Sequence, residues 1–330
     1  MDTARLGIVG LGWLGGVLAD AAVQTGRATV VSCYARTPAD RDAFADQRGC
    51  RAAESLDALL ADPDVDGVVL ATPHSAHAEQ IVAAASAGKH VFVEKPLTLS
   101  VADAKVAIEA TTAAGVTLQV GFQRRRQPTN RAIKRMIDDG ELGTVVQLEG
   151  NQSGPAAHAS DFPAWRADPA EAPAGGMAAM GVHLVDTFHY LAGPAARVAA
   201  FTKQVYGWRD LDEATTAIIE YERGPLGFIG TSYFVPAVNT FCVYGSEFNA
   251  WNEGDGAGLW TQRRGEPART QRPTEVIDTF VDEMEEFARC ILEGAEPETG
   301  GPEGLEVAAV LEAIVRSAAT GRTIDLSELR

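Results

Sequence analysis

The stretch IVGLGWLG, residues 8–15, decides how the rest of the chain is read. Ile8 and Val9 close a short apolar run, and Gly10-x-Gly12-x-x-Gly15 follows it directly and opens a helical pattern. Glycines at this spacing permit a tight strand-to-helix turn. They also let a pyrophosphate approach backbone N–H groups at a helix N-terminus. Alone the pattern is weak, because glycines also serve packing. Its weight comes from the surroundings. Up to about residue 122, apolar runs at Leu6–Val9, Thr29–Tyr34, Gly67–Ala71, Val91–Glu94 and Thr117–Phe122 alternate with helical patterns such as Ala78–Ala87 and Val101–Ala114. Strands buried on both faces and alternating with helices predict a doubly wound parallel sheet, a Rossmann domain over residues 1–122. Gly10, Gly12, Trp13, Leu14 and Gly15 form its expected cofactor loop.

Beyond a linking helix at about Thr129–Asp138 the texture changes. Longer strands are expected at Val145–Ser153, Val198–Tyr206, Thr215–Tyr221, Gly227–Tyr233 and Phe241–Tyr244, with a hairpin turning at Gly224-Pro225. Two helices close the chain. In the first, Val276–Leu292, the residues Val276, Ile277, Phe280, Met284, Phe287, Ile291 and Leu292 make one apolar stripe. Residues 123–330 therefore read as an α+β domain built on a mostly antiparallel sheet, so the whole is α/β with two domains.

Bulk properties narrow the function. The chain has 330 residues, enough for two cores. Its net charge of −17 argues against nucleic acid and anionic membranes as partners, since both need basic patches. No apolar run is long enough for a membrane span. The four cysteines, Cys33, Cys50, Cys242 and Cys290, show no C-x-x-C pair, which fits reduced thiols in a cytoplasm. A core-like strand begins within the first ten residues, so no signal peptide is expected. His74, His158 and His189 lack metal-ligand spacing with a carboxylate, and no metal is assigned. No G-x-S-x-G elbow is present for Ser-His-Asp chemistry.

The second strand ends in VVSCYARTP, residues 30–38, without an acid to accept from the ribose hydroxyls of NAD. Arg36 and Thr37 stand there instead. A guanidinium and a hydroxyl suit a 2′-phosphate, so NADP is expected ahead of NAD; the alternative is that Arg36 is a solvated surface charge. Two further residues draw attention. Lys95, in HVFVEKPLTLS (90–100), sits at the end of the fourth strand, where such sheets bind ligands. Pro96 stiffens its backbone; the alternative is a surface lysine, which is common at strand ends. His183 lies in APAGGMAAMGVHLVD (172–186), a run of small and apolar residues. It is either a satisfied core histidine or the chemical group.

GIVGLGWLG, ATPHSAH (71–77), GKHVFVEKPL (88–97), the Trp165-Arg166 pair, GGMAAMGVHLVD and the tail GLEVAAVLEAIVRSAATGR occur in an order that resembles one family. That family is the glucose–fructose oxidoreductase and inositol dehydrogenase group, Gfo/Idh/MocA, and the resemblance spans essentially the whole chain. It implies that the second domain carries a large open sheet often used to form homodimers or homotetramers. It implies catalytic roles for Lys95, beside the substrate, and for His183, as acid/base on the reacting hydroxyl or carbonyl. It places Thr72, Pro73 and His77 along the cofactor ribose, Glu94 and Lys95 near the nicotinamide ribose, and Trp165 and Arg166 at the nicotinamide end. The implied function is hydride transfer between NAD(P) and a carbinol carbon of a sugar, polyol or cyclic diol.

One departure matters. Where family members often carry an aspartate four residues before the histidine, this chain has Ala179. A carboxylate at i and an imidazole at i+4 share a helix face. Asp186 is the alternative partner, or a structural ion pair. Three outcomes stay open: a dehydrogenase leaning on Lys95, a nicotinamide-retaining enzyme that cleaves glycosides, or a dinucleotide-sensing protein without turnover. GFQRRRQP (121–128) is a basic cluster; the resemblance implies that it borders the substrate cleft, where Gln123 and Arg124 to Arg126, Arg125 among them, would touch an acidic or phosphorylated substrate, the alternative being a solvated turn. Tyr206, Trp208 and Tyr233 are sugar-stacking candidates, more often core in such patterns.

Overall fold

A computed structural model describes residues 3–159, 162–208 and 210–330. The chain divides into two compact units. The first holds a six-stranded parallel sheet of β1 (Ala4–Val9), β2 (Ala28–Tyr34), β3 (Arg51–Ala52), β4 (Gly67–Leu70), β5 (His90–Glu94) and β6 (Leu118–Gly121). Their order is 3-2-1-4-5-6, the doubly wound arrangement the alternating pattern predicts. Every residue of β4 and β6 is buried, as expected of strands covered on both faces. β3 escapes sequence reading because two exposed residues carry no periodicity.

One helix expected in the second domain packs in the first unit. The segment Asp278–Leu305 joins the parallel-sheet unit. Helix Thr279–Glu293 buries Met284, Phe287 and Ala288 in the cluster formed by Leu6, Ile8, Val69 and Phe92. Gln119 Nε2 donates to the Glu283 carbonyl at 2.9 Å. The helix starts at Thr279 rather than at Val276, because the Asp278 side chain caps it by accepting from the N–H groups of Phe280 and Val281. Val276 is 96% exposed, so the apolar stripe read from sequence overran the cap.

The second unit is organised on a nine-stranded sheet. To β7 (Val145–Ser153), β8 (Ala195–Lys203), β9 (Ala214–Tyr221), β10 (Leu226–Ser232) and β11 (Val238–Gly245) it adds β12 (Phe248–Glu253), β13 (Gly258–Arg263), β14 (Thr270–Arg272) and β15 (Ile324–Asp325). The order is 14-13-12-11-7-10-9-8-15. Within this sheet only the β7–β10 pair is parallel among the described strands. β9 and β10 form the hairpin expected at Gly224-Pro225. One sheet face is covered by helix Val182–Ala192: a Cβ on Gly150 of β7 would lie 3.0 Å from Leu184 and Phe188. On the other face Phe201, Ile218 and Leu226 are exposed. Register places all three there, since Ile218 pairs with both Ala199 and Phe228.

Candidate functional site

In the first unit the site is made of backbone. Gly10 turns at φ +90°, and a Cβ there would lie 2.4 Å from the Ala71 carbonyl oxygen. A Cβ on Gly15 would lie 2.0 Å from the Gly10 carbonyl. Both positions therefore exclude a side chain for steric reasons. Gly12 differs. It is the N-cap of helix Trp13–Gln24, its side carries no capping group, and a Cβ would meet nothing within 4 Å. That open cradle before uncapped N–H groups is the geometry a pyrophosphate requires, so the residues fit a dinucleotide. Trp13 is exposed and Leu14 half-buried beside it.

Around the loop the expected residues fall at the carboxyl ends of the strands. Arg36 and Thr37 are exposed just past β2. Thr72 follows β4 and donates its hydroxyl to Gln80 at 2.6 Å. Pro73 precedes the turn His74–Ala76, and His77 opens the helix that follows, His77–Ser86. The His77 ring is wholly buried, with Nδ1 2.9 Å from the Pro96 carbonyl and Nε2 3.1 Å from that of Thr72. Its imidazole thus ties the Thr72 turn to the segment carrying Lys95. Glu94 and Lys95 end β5, both buried, and the Lys95 N–H donates to the Glu94 carboxylate at 3.2 Å. The Lys95–Pro96 peptide is cis. Gln123 closes this unit, its amide oxygen buried without a hydrogen-bond partner among the described residues.

In the second unit the site is made of side chains, and an irregular backbone delivers them. Ala174 and Gly175 both adopt left-handed backbone, at φ +55° and +57°. The Thr215 hydroxyl holds the Ala174 carbonyl at 2.8 Å. Met177–Gly181 then form a π-helical turn before the α-helix Val182–Ala192. Such turns are rare and recur at functional positions. Small residues allow it: a Cβ on Gly176 would lie 2.3 Å from the Thr231 hydroxyl, and one on Gly181 2.9 Å from its methyl. The turn also replaces the regular helix on which Ala179 and His183 were compared as i and i+4. His183 follows at once, 5% exposed, and lines a narrow polar recess over the covered sheet face with Arg124, Gln152, Thr187 and Asn239.

Two expected substrate residues have a different task. The Arg125 guanidinium donates twice to the Asp186 carboxylate, by Nε to Oδ2 at 3.2 Å and by Nη2 to Oδ1. It also stacks 5.0 Å from the Tyr190 ring. Both partners are nearly sealed from water, so neither charge is exposed to a ligand. The pair clamps the Arg124–Arg126 segment to the His183 helix. Arg124, another arginine of the same cluster, reaches the recess, pairs with Asp255 at 2.8 Å, and meets the Gln152 amide. Its partners arrive from β7 and from the β12–β13 turn.

Trp165 and Arg166 lie half-buried on the turn Ala164–Ala167, the guanidinium 5.0 Å from the indole ring. Tyr233 is core: burial pushes its hydroxyl up to about 12, against the pull of the Arg166 charge. Tyr206 is exposed and stacks on Phe234 at 5.4 Å, whereas Trp208 packs edge-on to Phe162 and Phe234.

Comparison with known proteins agrees with this architecture over nearly the whole chain. Residues 4–122 match the model of the oxidoreductase family with an NAD-binding Rossmann fold, and residues 130–250 match the GFO/IDH/MocA C-terminal domain. The chain belongs to the GFO/IDH/MocA family and has its nicotinamide-dinucleotide-binding domain. It is 27% identical to inositol 2-dehydrogenase of Rhizobium meliloti, over 98% of this chain and all of the relative. It is 28% identical to D-xylose 1-dehydrogenase (NADP(+)) 2 of Haloferax volcanii, over 97% and 99% of the two chains. Among solved structures it superposes on a Desulfitobacterium hafniense protein, provisionally described as an NADPH-dependent oxidoreductase, with a TM-score of 0.94 and 30% identity, covering 100% of this chain and 99% of that one.

Proposed function

We propose that this protein is an NADP(H)-preferring oxidoreductase acting on a CH–OH group of a sugar, polyol or related cyclic alcohol. The observation that carries this reading is the pair of built features: the open Gly12 cradle in one unit and the polar recess lined by His183 in the other. When bound, the nicotinamide supplies the acceptor or donor of hydride at the substrate carbon. The chain's residues then handle the oxygen. His183 exchanges the hydroxyl proton, and Lys95 hydrogen-bonds the reacting oxygen and stabilises its developing negative charge. Glu94, Thr72, Pro73, Trp165 and Arg166 line the cofactor, with His77 and the Arg125–Asp186 pair as positioning groups behind them. Exposed Arg36 and Thr37, with no carboxylate from Val30 to Pro38, support the preference for a 2′-phosphate. The relatives' sugar and inositol substrates support the substrate class. The exposed apolar residues on the uncovered sheet face support self-association as a homodimer or homotetramer.

The test is nicotinamide reduction by the purified protein, offered NADP+ and NAD+ separately with aldoses, inositols and cyclic diols. Reduction with NADP+ at lower KM than NAD+ is the expected result. Equal affinity for both removes the role of Arg36, and no reduction with any alcohol removes the activity. Lys95→Met should cut turnover about 100-fold or more while cofactor binding persists.

A further inference from the structure

The recess beside His183 contains one cation and one anion, and their arrangement bears on what the recess accepts. Arg124 pairs with Asp255 through Nη1 at 2.8 Å. On its other side the Gln152 amide, in the orientation that satisfies both its ends, accepts from Arg124 at 2.6 and 3.0 Å and donates to the Met180 carbonyl at 2.8 Å. Burial lowers the Arg124 pKa from its ordinary value and Asp255 opposes the shift, with the Arg124 side chain 22% and that of Asp255 38% exposed.

Asp255 is held there deliberately. It takes left-handed backbone at φ +59°, between Gly254 at +63° and Gly256 at +92°. Gln127 Nε2 donates to both its carbonyl and its carboxylate at 3.0 Å, and its own N–H donates to the Asn239 carbonyl at 3.2 Å. Asn252 accepts from the Gly256 N–H at 2.8 Å and donates to Asn130, which in turn donates to the Arg124 carbonyl at 2.7 Å. A non-glycine residue in such a conformation persists where surrounding contacts over-determine it.

The clear volume of the recess is about 20 Å3, room for one small group. An unpaired arginine in that position would attract a carboxylate. Here the protein's own carboxylate already fills that role, and an incoming anion would have to displace Asp255 and face its charge.

We propose that the Arg124–Asp255 pair makes this recess selective for an uncharged hydroxyl-bearing group of the substrate and closes it to carboxylated sugars. The inference rests on the proposed sugar or polyol oxidoreductase reading and names the substrate subclass: neutral rather than acidic.

The experiment compares wild type with Asp255→Asn and Asp255→Gly, using calorimetric binding and kcat/KM on two matched pairs, glucose with glucuronate and glucitol with gluconate. Asparagine and glycine both accept the left-handed backbone, so either variant removes the charge without straining the turn. The expected result is that wild type favours the neutral member, and that both variants raise the acid-to-neutral ratio by roughly tenfold, mostly through KM. Adding Arg124→Gln to Asp255→Asn should cancel that gain. An unchanged ratio in both variants overturns the proposal, as does a wild type that prefers the acids or binds neither class. Binding selectivity that shifts as expected, without turnover of any alcohol, supports the charge pair and overturns the oxidoreductase activity.

Discussion

The two units achieve definition by opposite means. In the parallel-sheet unit the cofactor loop is backbone, and its shape follows from where side chains are forbidden, at Gly10 and Gly15. In the antiparallel unit the recess is made of side chains, and its shape follows from charges that neutralise one another, Arg125 with Asp186 away from water and Arg124 with the partly exposed Asp255. A backbone cradle depends on a local string of residues. A side-chain recess depends on segments that meet only after folding. The contrast predicts where each unit is fragile.

The largest effect is expected in the second unit. Asp186→Asn removes the carboxylate that accepts twice from the buried Arg125 guanidinium, and breaking such a buried pair typically costs about 3–5 kcal/mol. Chemical denaturation should show that loss, and replacing both partners by apolar residues of similar size should recover much of it. A loss under 1 kcal/mol would mean that water reaches the pair and that side-chain clamping is not what holds the His183 helix.

In the first unit two glycines of one motif should respond differently. Gly15→Ala sets a methyl against the Gly10 carbonyl, an overpacking that costs typically about 1–3 kcal/mol, and both stability and cofactor affinity fall. Gly12→Ala meets nothing in the protein, so the thermal midpoint stays while affinity for NADPH weakens by roughly tenfold. Should Gly12→Ala bind NADPH as tightly as wild type, the cradle is not where the pyrophosphate lies.

The same contrast explains how much could be read in advance. The motif, the five longer strands and the doubly wound parallel arrangement were legible because each rests on a local pattern. Lys95 at the end of β5 was legible for the same reason. In the second unit β12 to β15 went unread: they are short and polar, and their turn through Gly254, Asp255 and Gly256 looks like loop. Arg124 and Arg125 could not be told apart, because adjacent arginines look alike in a sequence. Only the folded chain shows that one is clamped by Asp186 and the other reaches Gln152. The closing helix was assigned to the wrong unit since its amphipathic stripe states that a face is buried, not against which sheet.

A smaller effect concerns acid. Burial works to raise the pKa of Glu213, but the amide N–H groups of Tyr206, Trp208, Val205 and Gly207 outweigh it and hold the carboxyl below the usual range. A depressed carboxyl contributes stability above its unfolded pKa and loses it as pH falls through the folded one. Wild type should therefore lose more stability than Glu213→Gln as pH falls below the usual carboxylate value of about 4, seen in thermal midpoints taken from neutral pH down to about pH 2. Parallel curves would show that the Val205–Trp208 loop does not depend on the charge.

The smallest effect tests whether irregular backbone before His183 is a strain the second unit tolerates. Ala174 occupies left-handed space that costs an alanine roughly 1–2 kcal/mol, whereas glycine enters it freely but loses more chain entropy on folding, by roughly 0.5–1 kcal/mol. Ala174→Gly should therefore be neutral to stabilising by up to about 1 kcal/mol, opposite in sign to most glycine substitutions. If the alanine serves only the backbone, turnover is unchanged. If its rigidity positions the π-helical turn and His183, stability rises while kcat falls with KM unmoved, and the second unit then uses backbone as well as side chains to build its site.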